Sequence, residues 1–241
     1  MTDRYEDVAK LIDHALLTPS LTVEQLESGC RMAAAYGVAS VCILPYYLRR
    51  AAELLAGSGV LPSTVIGFPH GGQATAVKRF EAETALADGG CELDLVVNVS
   101  QVVSGEWNYV RDDIAAVADV THRAGQKLKV IFENCYLRDE QKIRLCQICG
   151  ELGVDWVKTS TGFGSGGATI DDVRLMREHS PAAVQVKAAG GVRDLETLLA
   201  FRSLGATRIG TSRTAEILNE WRRKLGLSPI EVEAAGQGSN Y

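Results

Sequence analysis

Positive charge is in short supply in this sequence: 25 Lys and Arg stand against 30 Asp and Glu, for a formal net charge of −5. Such a chain has no basic field with which to hold nucleic acid or an anionic membrane, so an anionic ligand must be bound by local geometry. Histidine is also scarce. His14, His70, His122 and His179 are dispersed, and the last two fall on stretches that predict outer helices. No His/Glu cluster for zinc is therefore expected, and neither a metal nor a cofactor is called for. No segment approaches the ~18 consecutive apolar residues of a membrane span. The acidic start MTDRYEDVAKLIDHALL lacks the apolar core and small-residue cleavage site of a secretory signal. No GxGxxG or Walker lysine motif follows the early strand-like runs, which argues against a nucleotide fold. A disulfide framework is missing as well: Cys30, Cys42, Cys91, Cys135, Cys146 and Cys149 are scattered, as free thiols in a reducing cytoplasm would be. Cys146 and Cys149 form a CxxC, but inside the helical run EQKIRLCQICGEL, where they are expected to face the core as neighbours on one helix face.

What the chain does have is a recurring unit in which an amphipathic helix ends in glycine and a short apolar run follows. It appears as AAAYG-VASVCIL, LADGG-CELDLVVN, THRAG-QKLKVIFE, ELG-VDWVKTS and SLG-ATRIGTS. Glycine closes a helix in the left-handed conformation, and the runs suit strands buried on both faces. Thr22 with Gln25 makes a capping box, and Thr75, Asp139 and Asp194 are candidate N-caps. Eight strands are expected, near 12–17, 38–44, 63–68, 92–97, 127–132, 154–158, 184–187 and 207–210. Strands alternating with helices pair in parallel through right-handed crossovers. Eight units in 241 residues predict an α/β chain folded as one (β/α)₈ TIM barrel over 1–229. The Gly/Ser/Asn-rich stretch 230–241 is expected to be a mobile tail.

In such a barrel the C-terminal strand ends face the active site, so charge where packing asks for Val or Ile is informative. Asp94 in ELDLVVN, Lys158 closing VDWVKTS and Lys187 in VQVKAAGG stand out. Burying an isolated charge costs several kcal/mol, so each needs a partner or a purpose. A Schiff-base lysine must be an uncharged amine at neutral pH, and both desolvation and a second ammonium favour that state. Lys187, one strand over, supplies the like charge, and Asp94 can move protons between water, the carbinolamine and the substrate's α-carbon. Lys129, mid-strand in LKVIFE, is a rival nucleophile. The strand-end position of Lys158 favours it, with Lys129 paired to Asp94 or Glu133. Three Gly- and hydroxyl-rich stretches, STGFGSGG, AAGGVR and GTSR, form a candidate anion cradle.

In order from about Leu11 to Ser212, the segments LIDHALL, VIGFPHG, ELDLVVN, LKVIFE, VKTSTGFG, GGAT, VKAAGGVR and RIGTS resemble deoxyribose-phosphate aldolase. The resemblance implies a class I aldolase that reversibly converts 2-deoxy-D-ribose 5-phosphate into D-glyceraldehyde 3-phosphate and acetaldehyde. On that pattern Lys158 is the Schiff-base lysine, and Asp94 and Lys187 exchange protons. Gly162, Gly190, Gly191, Gly210 and Ser212 surround the substrate phosphate, and the terminal Tyr241 resembles a tail tyrosine that assists proton transfer. The expected partners are the phosphorylated sugar and acetaldehyde, with a homodimer as the candidate assembly and no nucleic acid or membrane. Three positions depart from the pattern: Ala15 where threonine is common, Leu44 where a polar residue or tyrosine is common, and Arg213 after GTS. The first two make the pocket less polar, and Arg213 adds a candidate phosphate donor. A barrel aldolase for another sugar phosphate, and a non-catalytic sugar-phosphate-binding barrel, are the alternative readings.

Overall fold

The computed structural model describes residues 4–232, so Tyr241 lies outside the described residues. Within them, eight parallel strands close into a barrel in sequence order: β1 (Ile12–Leu16), β2 (Ser40–Ile43), β3 (Leu61–Ile66), β4 (Glu92–Val96), β5 (Lys127–Ile131), β6 (Trp156–Lys158), β7 (Gln185–Ala189) and β8 (Ala206–Thr211). The last strand pairs with the first through Asp13 and Gly210. Around them run α1 (Glu6–Ala9), α2 (Val23–Tyr36), α3 (Leu48–Leu55), α4 (Thr75–Ala87), α5 (Val99–Ser104), α6 (Trp107–Arg123), α7 (Asp139–Glu151), α8 (Ile170–His179), α9 (Leu195–Ser203) and α10 (Thr214–Lys224). Each expected strand is present, with ends displaced by a few residues. No helix among the described residues is long and apolar enough to cross a membrane.

The strands are buried on both faces, but the two faces differ in kind. Successive residues of a strand point to opposite sides. Val41, Ile43, Leu93, Leu95, Leu128, Val130, Val157, Val186 and Ile209 pack outward in one apolar cluster with the helices. The alternate set, including Asp13, Glu92, Asp94, Lys129, Lys158 and Lys187, fills the barrel interior with charge and is equally buried. Cys146 and Cys149 are fully buried on α7, as expected.

The helix starts divide. Thr22 and Gln25 form the expected capping box, and Asp194 caps α9 by accepting from the Thr197 N–H. Thr75 and Asp139 are not caps. Both stand one residue inside their helices, after Ala74 and Arg138. The Thr75 hydroxyl is engaged elsewhere, donating to Asp113 at 2.7 Å, and Asp139 places its charge in the first turn, where the helix dipole favours it. At the other end of the chain, Ile230 exchanges hydrogen bonds with the Asn219 side chain at 2.9 and 3.2 Å and accepts from Tyr36. The residues that follow Leu225 are thus held to α10 as far as Ile230.

Candidate active site

A pocket open at its mouth occupies the C-terminal end of the barrel. Lys158 and Lys187 rise from its floor, side by side in the β6–β7 register. Asp94, buried beneath, accepts from Lys158 Nζ at 2.7 Å and Lys187 Nζ at 2.8 Å on one oxygen, and from Lys129 Nζ at 2.9 Å on the other. One carboxylate thus serves three ammonium groups.

Their protonation states diverge. Burial lowers the Lys158 pKa, Lys187 lowers it further, and Asp94 opposes without cancelling the shift. Burial also disfavours charge on Lys187, but there Asp13 and Asp94 outweigh it, so its pKa rises and it stays an ammonium. Lys129 is raised in the same way, since Asp94, Asp13 and Glu92 together outweigh its burial. Asp94 suffers the burial penalty too, yet the three lysines hold it well below the ordinary carboxylate range. Of the two lysines that line the pocket, Lys158 and Lys187, the amine that can more easily be neutral is Lys158. Lys129 is fully buried, away from the pocket wall, with carboxylates at 2.5, 2.9 and 3.5 Å. Its partners are Asp94, Glu92 and Asp13. Glu133, offered by the sequence as an alternative partner, instead grips the loop after β6, taking the Thr161 N–H at 3.1 Å and the Thr161 hydroxyl.

Above the lysines the pocket has two unlike walls. On one side are Gly162, Gly190, Gly191, Gly210, Thr211, Ser212, Arg193 and Arg213. Gly190 has φ +86°, and a Cβ there would stand 2.9 Å from the Gly167 backbone. At Gly210 a Cβ would come within 2.9 Å of Ala189 and 3.4 Å of the Lys187 side chain. Only bare backbone lets these turns close over the lysines with their amides free to approach an anion. Arg213, at the N-cap of α10, lines this wall while its guanidinium donates to Glu216 at 3.0 Å. The opposite wall is apolar: Leu17, Cys42 and Val65 pack with Ala15, Leu44 and Phe68. Ala15 reaches the pocket surface, whereas Leu44 supports it from behind.

The pocket thus brings together Lys158, Lys187, Gly162, Gly190, Gly191, Gly210, Ser212, Arg213 and Ala15, with Asp94 beneath the lysines, whereas Leu44 and Lys129 are not in its lining. Sequence reasoning passed over Asp13, Glu92 and Arg208, which share the interior, although each breaks an apolar strand just as Asp94 does. It also passed over Cys42 and Arg193, which line the pocket, and the structural use of Glu133. The left-handed backbone of Glu133 (φ 57°) has no signature in a residue type that rarely adopts it.

A parallel (β/α)₈ barrel with a buried lysine pair on a shared carboxylate, under a glycine-rich anion cradle, has the architecture of an aldolase, a carbon–carbon lyase. Comparison with known proteins gives the family. Residues 7–212 match the DeoC/LacD family of aldolases, and the chain belongs to that family. It is 66% identical over 233 residues to the deoxyribose-phosphate aldolase of Rhodopirellula baltica, covering 97% of each chain. It is 48% identical over 214 residues to that of Thermococcus gammatolerans, covering 88% of this chain and 95% of the relative. The deoxyribose phosphate aldolase of Aeropyrum pernix, solved as a tetramer, superposes with a TM-score of 0.85 at 31% identity, covering 91% of this chain and 92% of that one.

Proposed function

We propose that the protein cleaves 2-deoxy-D-ribose 5-phosphate reversibly to D-glyceraldehyde 3-phosphate and acetaldehyde through a Schiff base on Lys158. The observation that carries this reading is the contrast among three buried lysines around one carboxylate: Lys158 alone is lowered in pKa and faces the pocket. The Lys158 amine adds to the C1 carbonyl of the open-chain sugar and water leaves, giving an iminium. Loss of the C3 hydroxyl proton to a base then breaks the C2–C3 bond. Its electron pair passes to the iminium as an enamine, and glyceraldehyde 3-phosphate departs. The enamine takes a proton on carbon, and water releases acetaldehyde and the free amine.

In this scheme Lys187, an ammonium 2.8 Å from Asp94, disfavours a second charge on Lys158 and donates protons. Asp94, ionised, accepts them and orients both lysines. The phosphate is assigned to the wall of Gly162, Gly190, Gly191, Gly210 and Ser212, with the first turn of α10 directed at it. The apolar wall at Ala15 and Leu17 is left for the two-carbon end of the sugar. Tyr241 keeps its proposed part in proton transfer on the family pattern alone. A cytoplasmic location is supported by free, largely buried thiols, and a homodimer by the exposed apolar Val77 and Phe80 of α4.

Borohydride reduction in the presence of acetaldehyde, followed by peptide mass mapping, tests the reading. The adduct is expected on Lys158, and Lys158→Ala should abolish both adduct and cleavage while its circular dichroism stays native. Adduct on Lys129, or full activity without Lys158, would overturn it.

A further inference from the structure

The charged side chains inside the barrel close into a ring. From Asp94 the path runs to Lys129 at 2.9 Å and on to Glu92 at 2.5 Å. Glu92 holds Arg208 in a two-pronged pair at 2.7 and 2.8 Å, and Arg208 meets Asp13 at 2.6 Å. Asp13 meets Lys187 at 2.5 Å, and Lys187 returns to Asp94 at 2.8 Å. Three anions alternate with three cations, so the ring is neutral by itself. Lys158 is not a member. It touches the ring only at Asp94, 2.7 Å away, as a seventh charge.

We propose that this ring is a charge balance in which Lys158 is the surplus cation. Glu92 and Arg208, which line no part of the pocket, then act as positioning residues that govern how readily Lys158 gives up its proton. With Lys158 protonated the interior carries a net charge of +1; with Lys158 as an amine it carries none. An uncompensated buried charge costs several kcal/mol, and the neutral count is reached by releasing the proton of the lysine that meets a single carboxylate, Lys158. Screening is weak there. Trp156 lies under both Arg208 and Lys129, with its ring 5.0 and 5.8 Å from their charged centres, and the Arg208 side chain is only 12% exposed.

Among the described residues, the groups facing Lys158 include no other candidate for this control. Asp94 and Glu92 come from β4, Lys187 from β7, Lys129 from β5, Asp13 from β1 and Arg208 from β8, all members of the ring. From β2 comes the Cys42 thiol, raised in pKa by burial and therefore neutral. Arg193 and Arg213 stand at the pocket's anion-binding wall, and Glu133 is tied to Thr161.

The inference rests on Lys158 as the nucleophile and makes a prediction of opposite signs. Arg208→Met leaves the interior one charge more negative, so Lys158 keeps its proton to higher pH. The acidic limb of kcat/KM for 2-deoxyribose 5-phosphate should move up by about one pH unit, as expected for one unit charge across a barrel interior at an effective dielectric of about 20. The acidic limb of acetaldehyde trapping by borohydride should move with it. Glu92→Gln, nearly isosteric, should move both limbs down by a similar amount. The double variant should restore them toward the wild type, and Arg208→Lys should leave them in place. A purely structural ring would lower rates without moving the limbs in opposite directions, and unmoved limbs in Glu92→Gln would overturn the proposal even if Arg208→Met failed to fold. Limbs unmoved while adduct still forms on Lys158 would sink the ring alone. Adduct persisting in Lys158→Ala would instead sink the nucleophile assignment beneath it.

Discussion

Arg213 stands where the glycine-lined wall of the pocket meets the first turn of α10, and its guanidinium is already engaged by Glu216 at 3.0 Å. A charge-assisted bond from Arg213 to a phosphate would therefore be shared, which puts its contribution at the low end of the ~1.5–3 kcal/mol range for hydrogen bonds to charged groups. Arg213→Ser is expected to lower kcat/KM for 2-deoxyribose 5-phosphate about tenfold and to leave that for free 2-deoxyribose within a factor of about two. Steady-state kinetics on both sugars checks this, and an equal loss on both would remove Arg213 from phosphate recognition. The functional residues were legible in the sequence to different degrees. Asp94, Lys158 and Lys187 announce themselves because charge interrupts an apolar strand. Asp13, Glu92 and Arg208 obey the same rule and were as legible, since Asp94 itself stands in the middle of β4; the sequence reading passed over them. Cys42 gives no signal, since a small thiol in an apolar run reads as packing.

At the scale of elements, α4 is held to α6 by a buried ion pair. Lys78 of α4 is fully buried, donating to the Val96 carbonyl at 3.0 Å and to Asp113 of α6 at 2.6 Å, while Thr75 donates to the other Asp113 oxygen. These bonds tie two helices to the C-terminal end of β4, two residues from Asp94. Lys78→Met fills the same space but leaves the Asp113 carboxylate buried without a cation, a loss of about 3–5 kcal/mol. Urea denaturation should show that loss as a lower midpoint at unchanged slope. A change below about 1 kcal/mol would mean that water or another group reaches Asp113. The elements themselves were largely legible. Glycine after a helix marks the approach to five of the strands and the apolar runs locate the rest, because both signals are local. The start of α4 was misplaced by one residue for the opposite reason: the partner that claims the Thr75 hydroxyl is 38 residues away in sequence, and no local pattern records it.

For the molecule as a whole, the sequence implies closure of the barrel through the count of its units. It does not show that the interior would be a ring of charge, since that depends on which alternate residues of five strands meet. The outer layer holds one further buried titratable group with a consequence for the entire fold. His14 points outward from β1 against α10, and its ring nitrogen shares a hydrogen bond with Thr214 at 2.9 Å. Burial lowers its pKa from 6.5 to about 4, Glu216 offsetting only part of the effect. Between those values the unfolded chain binds a proton that the folded chain refuses, so stability falls as pH falls through this window. The loss is about 2 kcal/mol by pH 5 and about 3 kcal/mol once both states are protonated. Other groups act chiefly below pH 5. Asp13 and Asp94, held low by their lysines against the burial penalty, give up stability only in stronger acid, and Glu81, raised by burial, has the opposite sign near its own range. Chemical denaturation from pH 6.5 to 5 is thus expected to show a decline that His14→Gln largely abolishes, since glutamine can keep a bond to Thr214 without taking up a proton. A variant that declines as steeply as the wild type would show that His14 is not the source of the acid sensitivity.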